Sequence, residues 1–217
     1  MENSLEKKLF NKARAEKIIR NLEKRYMRGF YFENMTEAVQ AICKMINEGE
    51  LVGLGGSETI IETGLINELR KLKIRLLDRY KDGVKKAEVD KMRTEGLLSD
   101  VFIASTNAIT LDGKLVNEDG TGNRVACMIY GPKKVIIIAG MNKVVPTVED
   151  AIRRIKSKAA PLDSMRVGIE TPCHYTGVCN ESHCFPPKRI CSQLVIIESS
   201  MIKDRINVFL IGEDVGY

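Results

Sequence analysis

Apolar residues return along this chain in two rhythms, and the changes between them mark out its elements. From Leu5 to Met27 the spacing is helical: Leu5, Leu9, Ala13 and Leu22 share a stripe, Glu, Lys and Arg fill the other side, and Gly29 is expected to stop the helix. Thr36 is placed to cap a second helix, Glu37 to Asn47, that turns Ala38, Ile42, Met45 and Ile46 inward. Short, mainly apolar runs then take over. Leu51 to Leu54, Ile74 to Leu77, Val101 to Ala104 and Val135 to Ala139 have the length of strands, and the last is the uninterrupted β-branched type that is buried on both faces.

A helical pattern follows each of these runs. Ser57 caps the helix that carries Ile60, Ile61, Leu65, Ile66 and Leu69, and Val84 to Glu95 stops at Gly96. Asn123 to Tyr130 closes at Gly131-Pro132, and Thr147 with Asp150 stands in capping-box relation before Val148, Ala151, Ile152 and Ile155. Two last runs, Leu194 to Ile197 and Ile206 to Ile211, have no helix between them, which predicts an antiparallel edge at the C-terminal end. The alternation as a whole predicts an α/β fold, a mostly parallel, doubly wound, Rossmann-like sheet with helices on both faces. No linker divides the chain, so residues 1–33 are taken as a helical extension and residues 34–217 as one α/β domain.

In such sheets ligands gather at the carboxyl ends of the strands, and two stretches would arrive there. The first is the turn Gly55-Gly56 with the hydroxyls of Ser57 and Thr59; it matches neither a Walker A loop nor GxGxxG, and a plain tight turn explains it as well as an anion cradle does. The second is "STNAITLDGKLVNEDGTGNR", which holds Asn107, Asp112, Asn117, Asp119, Gly120, Thr121, Gly122, Asn123 and Arg124. It reads either as a hairpin turn followed by a helix entry, or as a ligand loop. As a ligand loop, Arg124 would pair with an anionic group and Asn107, Asn117 and Asn123 would orient it. Asn107, Asp112 and Asp119 are the candidate catalytic residues, the two aspartates being the nearby carboxylates able to move protons.

Composition narrows the class. In 217 residues, 44% hydrophobic and 29% charged, there is material for a sizeable core, and a net charge of +5 spread among acids gives no nucleic-acid signature. Neither a secretory leader nor a run of membrane-spanning length is present in the sequence, so a cytoplasmic protein without a membrane partner is expected. Thiols stay reduced there, which changes how the six cysteines are read. Cys43 and Cys127 fall on helix faces and suit a core. Cys173, Cys179, Cys184 and Cys191 crowd one loop-like segment with both histidines, His174 and His183. Four thiolates could hold zinc or an iron–sulfur cluster, but the Cys-x2-Cys pair typical of zinc sites is missing, and a loop of reduced or redox-labile cysteines is the alternative.

Taken together, "GGSETIIETGL", "SDVFIASTNAITLDGKLVNEDGTGNRVACMIYGPKKVIIIAG" and "TPC...TGVC...RIC" resemble the LUD-domain (DUF162) family, to which the lactate-utilisation protein C belongs, from about Asn34 onward. The resemblance implies a fold of the NagB/RpiA/CoA-transferase-like superfamily and a role beside iron–sulfur oxidoreductase subunits that oxidise L-lactate to pyruvate. It implies a small carboxylate or phosphate as ligand, and leaves open a homo-oligomer and a non-catalytic, metabolite-binding or assembly role. "NAITLDGKLVNEDGTGN" also looks like the "GADRI...NG...NKIGT" segment of methylthioribose-phosphate isomerase and initiation-factor-2B relatives. Those isomerases work through an aspartate where this chain has Asn107, and an amide exchanges no proton near neutral pH. If the chain is catalytic, it therefore reads as a subunit of a lactate-oxidising system rather than as a sugar-phosphate isomerase.

Overall fold

The computed structural model describes residues 5–217 and contains two sheets. Ten strands run in chain order: β1 (Arg28–Phe32), β2 (Leu51–Leu54), β3 (Arg75–Leu76), β4 (Val101–Ser105), β5 (Ala108–Thr110), β6 (Leu115–Asp119), β7 (Lys134–Gly140), β8 (Val144–Val145), β9 (Gln193–Ile197) and β10 (Ile206–Ile211). The larger sheet has the order β1-β10-β7-β4-β2-β3 and is parallel throughout. The smaller has the order β8-β5-β6-β9 and is mixed, with β5 and β9 antiparallel to β6 and β8 parallel to β5.

The helices are α1 (Leu5–Lys24), α2 (Met35–Cys43), α3 (Glu58–Glu62), α4 (Leu65–Leu69), α5 (Lys86–Glu95), α6 (Asn123–Ile129), α7 (Val148–Arg154), α8 (Ala160–Val167) and α9 (Pro172–Thr176). Side chains alternate across a strand, so β7 sends Val135, Ile137 and Ala139 to one face of the large sheet and Ile136 and Ile138 to the other. The first face is closed by α1 through Ala15, Ile18 and Leu22, by α6, and by the small sheet through Ile109, Leu115 and Ile197. The second is closed by α2, α3 and α4 through Ala38, Ile42, Ile60, Leu65 and Leu69. Strands buried on both faces must be apolar along their whole length, which is why β4 and β7 read as unbroken runs.

Several local expectations change. Helix α1 ends at Lys24 and turns through Tyr26, whose φ of 57° is left-handed, so Gly29 is not its stop but the second residue of an unpredicted strand. A Cβ on Gly29 would lie 2.8 Å from Ile19 Cγ1, so glycine lets the helix return close against the strand it leads into. Asn34 rather than Thr36 caps α2, its side chain accepting from Glu37 N, and the helix stops at Cys43 rather than Asn47. The helix expected after Ser57 is two short ones, divided at Gly64 with φ 70°. The two closing strands are not partners: β9 supplies an antiparallel edge to the small sheet, while β10 enters the large sheet between β1 and β7. Both pairings were hidden because β1 is half-buried and amphiphilic, and because Leu194 and Ile196 of β9 are exposed.

Helix α6 delivers its first turn to the carboxyl rim of the large sheet, and one buried cation anchors its other end. Arg205 donates from Nε to Pro132 O at 2.9 Å, from Nη1 to Met128 O at 2.8 Å and from Nη2 to Cys127 O at 3.2 Å. These carbonyls belong to the last turn of α6 and the segment after it, where helical partners run out and a cation complements the dipole. Replacing Arg205 with Met is expected to orphan them and to cost about 3 kcal/mol of unfolding free energy, read as a lower urea midpoint with an unchanged slope.

Candidate functional site

Strand β4 ends at Ser105, and β2 turns into α3 beside it. From Ser105 the chain passes through Thr106 and Asn107 into the β5–β6 hairpin, which returns it to Asp119 and to α6. A cavity of about 250 Å³ lies where these pieces meet. Its wall includes Gly56, Ser57, Thr59, Asn107, Asp119, Gly120, Thr121, Asn123 and Arg124, so the two candidate stretches of sequence are brought to one rim. The hairpin-and-helix-entry reading of the second stretch is what the structure contains, because "LDGK" is a hairpin turn and Gly122 with φ 82° begins α6, and the loop between them lines the cavity. Gly55, Asn117 and Gly122 stand outside the lining. Gly55 leaves room for Arg124, whose Cγ would be 3.3 Å from an added Cβ, and Asn117 is wholly buried beneath.

Asp112 is not part of the site. It occupies the far turn of the hairpin, where its Oδ2 accepts from Arg25 Nη2 at 3.0 Å and its Oδ1 accepts from Thr110 Oγ1, tying the hairpin to the end of α1. Asp119 is at the rim, but its Oδ1 accepts from Gly120 N at 2.8 Å and its Oδ2 from Val125 N at 3.2 Å, which shapes the entry to α6.

Arg124 has a different role from the one its position suggests. Four of its five N–H groups are used inside the protein: Nη1 donates to Ser105 O at 2.8 Å and Asn117 Oδ1 at 2.7 Å, and Nη2 to Asn107 Oδ1 at 3.0 Å and Glu118 O at 3.0 Å. Its Nε faces Asp119 Oδ2 at 3.7 Å. The guanidinium is buried and, despite its place on the wall, acts as the joint of the loop rather than as a free cation. Asn107 is oriented by the same joint: its Oδ1 also accepts from Glu118 N at 2.9 Å, and its backbone carbonyl accepts from Arg154 Nη1 at 2.7 Å. The Asn107 Nδ2 has no hydrogen-bond partner among the described residues and is left as a donor at the cavity wall.

Other wall residues escaped the sequence reading. Arg79, from the polar turn after β3, lies over Gly56 with Nη1 3.4 Å from the position of an added Cβ, and among the described residues its guanidinium has neither a hydrogen bond nor an ion pair. It lies 5.8 Å from the Tyr80 ring centroid; burial lowers its pKa, Arg93 and Arg166 lower it further, and Tyr80 and Asp119 act against them. Arg93 pairs with Asp90 through Nη1 and has a buried, unpartnered Nε. Arg166 is held by Asp163 and faces Glu58 at 3.6 Å. Glu118 is paired with Lys156 at 3.3 Å. Lys143, three residues beyond β7, is 3% exposed and donates from Nζ to Thr59 Oγ1 at 2.6 Å and Ser105 Oγ at 3.0 Å. Burial, helped by the charges of Arg154 and Arg124, lowers its pKa to about 7. The one signal in the sequence was position: Arg79 and Lys143 both lie just past the carboxyl end of a predicted parallel strand.

The four clustered cysteines lie elsewhere, around a second and much smaller cavity that also meets Lys156, Glu181 and Arg189. Cys173, Cys179, Cys184 and Cys191 all line it, and all are free thiols. Burial raises the pKa of Cys179, and it pushes Cys191 up to about 12 with Glu118 adding to the effect. As they stand, no three metal-ligating side chains among the described residues are close enough to hold one ion. Cys127 is a core residue as expected, while Cys43 is only half-buried against the second core. No helix among the described residues is long and apolar enough to cross a membrane.

Against known proteins, the chain matches the family model described as LUD domain over residues 15–211. A crystal structure of a DUF162 family protein from Deinococcus radiodurans is 12% identical, with 94% of this chain and 98% of that chain covered and a TM-score of 0.50, so the fold is shared. Partial likenesses extend to eIF2B delta from Chaetomium thermophilum, at 16% identity over 55% of this chain and 50% of that one, TM-score 0.36. The translation initiation factor eIF-2B of Pyrococcus horikoshii OT3 gives 21% identity over 53% and 48%, TM-score 0.35. No curated protein matches the chain. The family match runs from the middle of α1 to the end of β10, and with it the chain belongs to the LUD-domain family.

Proposed function

We propose that the rim cavity binds a small anionic metabolite, a carboxylate or a phosphate, and that the chain serves in a lactate-utilisation setting. The observation that carries the reading is Arg79. Its guanidinium is half-buried and, among the described residues, meets the Tyr80 ring at 5.8 Å but no carboxylate or carbonyl, so an anion would add the charge and the paired hydrogen bonds that the protein does not supply. Arg93 Nε and Asn107 Nδ2 are further donors at the same wall. The other charges there are already opposed, Arg124 by Asp119, Arg166 by Asp163 and Glu118 by Lys156, so the balance left over is positive. Oxidation of L-lactate to pyruvate releases two electrons and two protons; the reading gives the electrons to iron–sulfur partner subunits, and to this chain the holding and orientation of the acid.

Isothermal titration of the full chain with lactate, pyruvate and a sugar phosphate tests the anion. Arg79→Ala is expected to weaken binding of whichever anion is taken by at least tenfold, since a charge-assisted pair contributes about 1.5–3 kcal/mol, with the thermal midpoint unchanged. Arg124→Ala is expected to lose both binding and thermal stability, because it releases the carbonyls of Ser105 and Glu118. No heat with any of the three anions, or Arg79→Ala binding as the parent does, would overturn the reading.

A second reading attaches to the cysteine cavity. Its four thiols are near enough to raise one another's pKa, Cys173 and Cys184 acting on Cys179 and Cys173 and Cys179 acting on Cys191, so a soft metal that drew them together would relieve several raised thiols at once. Because burial raises the Cys179 and Cys191 thiols and a metal takes thiolates, zinc binding to the reduced chain is expected to release protons into weakly buffered solution, and Cys191→Ser to abolish the tightest uptake. An anaerobically purified chain that takes up neither zinc nor iron would remove this reading.

A further inference from the structure

Lys143 stands in the cavity wall between two hydroxyls, and the hydrogen bonds around it fix how many protons it can use. Ser105 Oγ donates its own proton to Thr106 O at 3.2 Å, and Thr59 Oγ1 donates its own to Val215 O at 3.5 Å. Each hydroxyl is therefore left as an acceptor toward Nζ, which donates to both. Two acceptors match the two N–H groups of a neutral amine. An ammonium would carry a third proton, and no carboxylate among the described residues lies within ion-pairing distance of Nζ to balance its charge. The charges of Arg154, Arg124 and Lys158 disfavour the ammonium, and that of Glu62 opposes them. Burial and this surrounding charge bring the amine's pKa to about 7, so a large share of it is free base at neutral pH.

The same short turn that holds Lys143 also passes under Arg79. Thr59 meets the amine and Gly56 lies beneath the guanidinium, three residues apart and hence within about 10 Å along the chain. A wall with a guanidinium that no carboxylate pairs at one end of a turn and a nucleophilic amine at the other suits a molecule with an anionic group and a carbonyl.

We propose that Lys143 condenses with the carbonyl carbon of such an anionic carbonyl compound, a 2-oxo acid or a ketone phosphate, to form an imine, its anion resting on Arg79. The inference rests on the anion-binding reading for its substrate class and on the Lys143 hydroxyl pair for its chemistry. The Nζ lone pair forms the N–C bond while the carbonyl π pair moves to oxygen, and one N–H proton passes to that oxygen to give the carbinolamine. The C–O bond then breaks, water leaves with that oxygen and the remaining Nζ proton, and the nitrogen lone pair closes the C=N bond. No electrons are gained or lost overall. Thr59 and Ser105 orient the amine, holding its two protons so that the lone pair is not consumed in a hydrogen bond.

Reductive trapping tests this on the full chain. Pyruvate, 2-oxoglutarate and dihydroxyacetone phosphate are each offered with sodium cyanoborohydride, and the protein is then weighed intact and mapped by peptide mass spectrometry. One reduced adduct per chain, on the peptide containing Lys143, is expected with at least one of the three, and which one distinguishes carboxylate from phosphate. Lys143→Met, checked for folding by circular dichroism, should take up no adduct at the same exposure, and Arg79→Ala should need at least tenfold more carbonyl compound for half-labelling. No adduct, or adducts scattered over surface lysines and unchanged in Lys143→Met, overturns the imine. Titration with lactate or inorganic phosphate, which lack a ketone or aldehyde carbonyl, separates the two claims. Binding of these, with no adduct from any of the three carbonyl compounds, sinks the imine and leaves the anion site, whereas a Lys143 adduct that is indifferent to Arg79→Ala sinks the anion's part and leaves the amine.

Discussion

The guanidinium of Arg124 is the interaction on which the rim depends. A parallel sheet ends at its carboxyl edge in carbonyls and turns that have no neighbouring strand, and every such group buried there must find a partner. Arg124 supplies partners to three separate pieces at once, the end of β4 at Ser105, the hairpin at Asn107, Asn117 and Glu118, and its own helix entry at Asp119. The helix that carries it is in turn held at its far end by Arg205. One short helix thus has a buried arginine at each end, the first organising the loop and the second satisfying the carbonyls where the helix stops. Breaking either would leave unpaired groups inside, a larger loss than the hydrogen bonds themselves are worth.

That arrangement separates two kinds of cation at the cavity. Arg124 is spent on structure, although it is the one arginine inside the glycine-rich stretch and so the one that local pattern points to. Arg79 and Lys143 come from turns with no special composition, yet they reach the cavity with a guanidinium that meets the Tyr80 ring but no carboxylate, and an amine that has only hydroxyls. The distinction is between residues that satisfy the fold and residues that the fold leaves unsatisfied, and only coordinates reveal it. Charge that the fold leaves without a paired carboxylate costs stability, and the proposed anion would offset that cost at the mouth of the sheet.

How much the chain announced about itself follows from which interactions are local. Strand runs buried on both faces, the capping residues Ser57 and Thr147, and the parallel α/β class were all legible, because each rests on periodicity or on bonds within a few residues. Strand β1 was not, since Gly29 is governed by the approach of Ile19 and not by its neighbours in sequence. The placing of β10 beside β1 was equally hidden, because pairing across nearly the whole chain leaves no trace in spacing. The rim was half legible. Glycine, asparagine and threonine clusters marked where the chain turns, and the rule that ligands gather at carboxyl ends brought Gly56 and Arg124 to one cavity. Asp112 was misplaced by the same logic, because a hairpin has two ends and only the one carrying Asn107 and Asp119 faces the rim.

The backbone around Lys143 bears on why a lysine is kept there at all. Gly216, at a left-handed φ of 60°, brings the chain so close that a Cβ would stand 3.3 Å from the amine and would run into the Thr59 hydroxyl. Val215 N and Gly216 O are both fastened to the side chain of Asn142, one residue before the lysine. The amine is therefore enclosed by β4, the α3 turn and residues 215–216, whose groups nearest to it are hydroxyls and carbonyls, with no carboxylate in ion-pairing distance among the described residues. A methionine would fill that space without the cost of taking an amine out of water, and an arginine could not be neutral in it. What lysine alone offers in such a place is a nitrogen whose lone pair is available near neutral pH, and this is the property that the proposed imine chemistry requires.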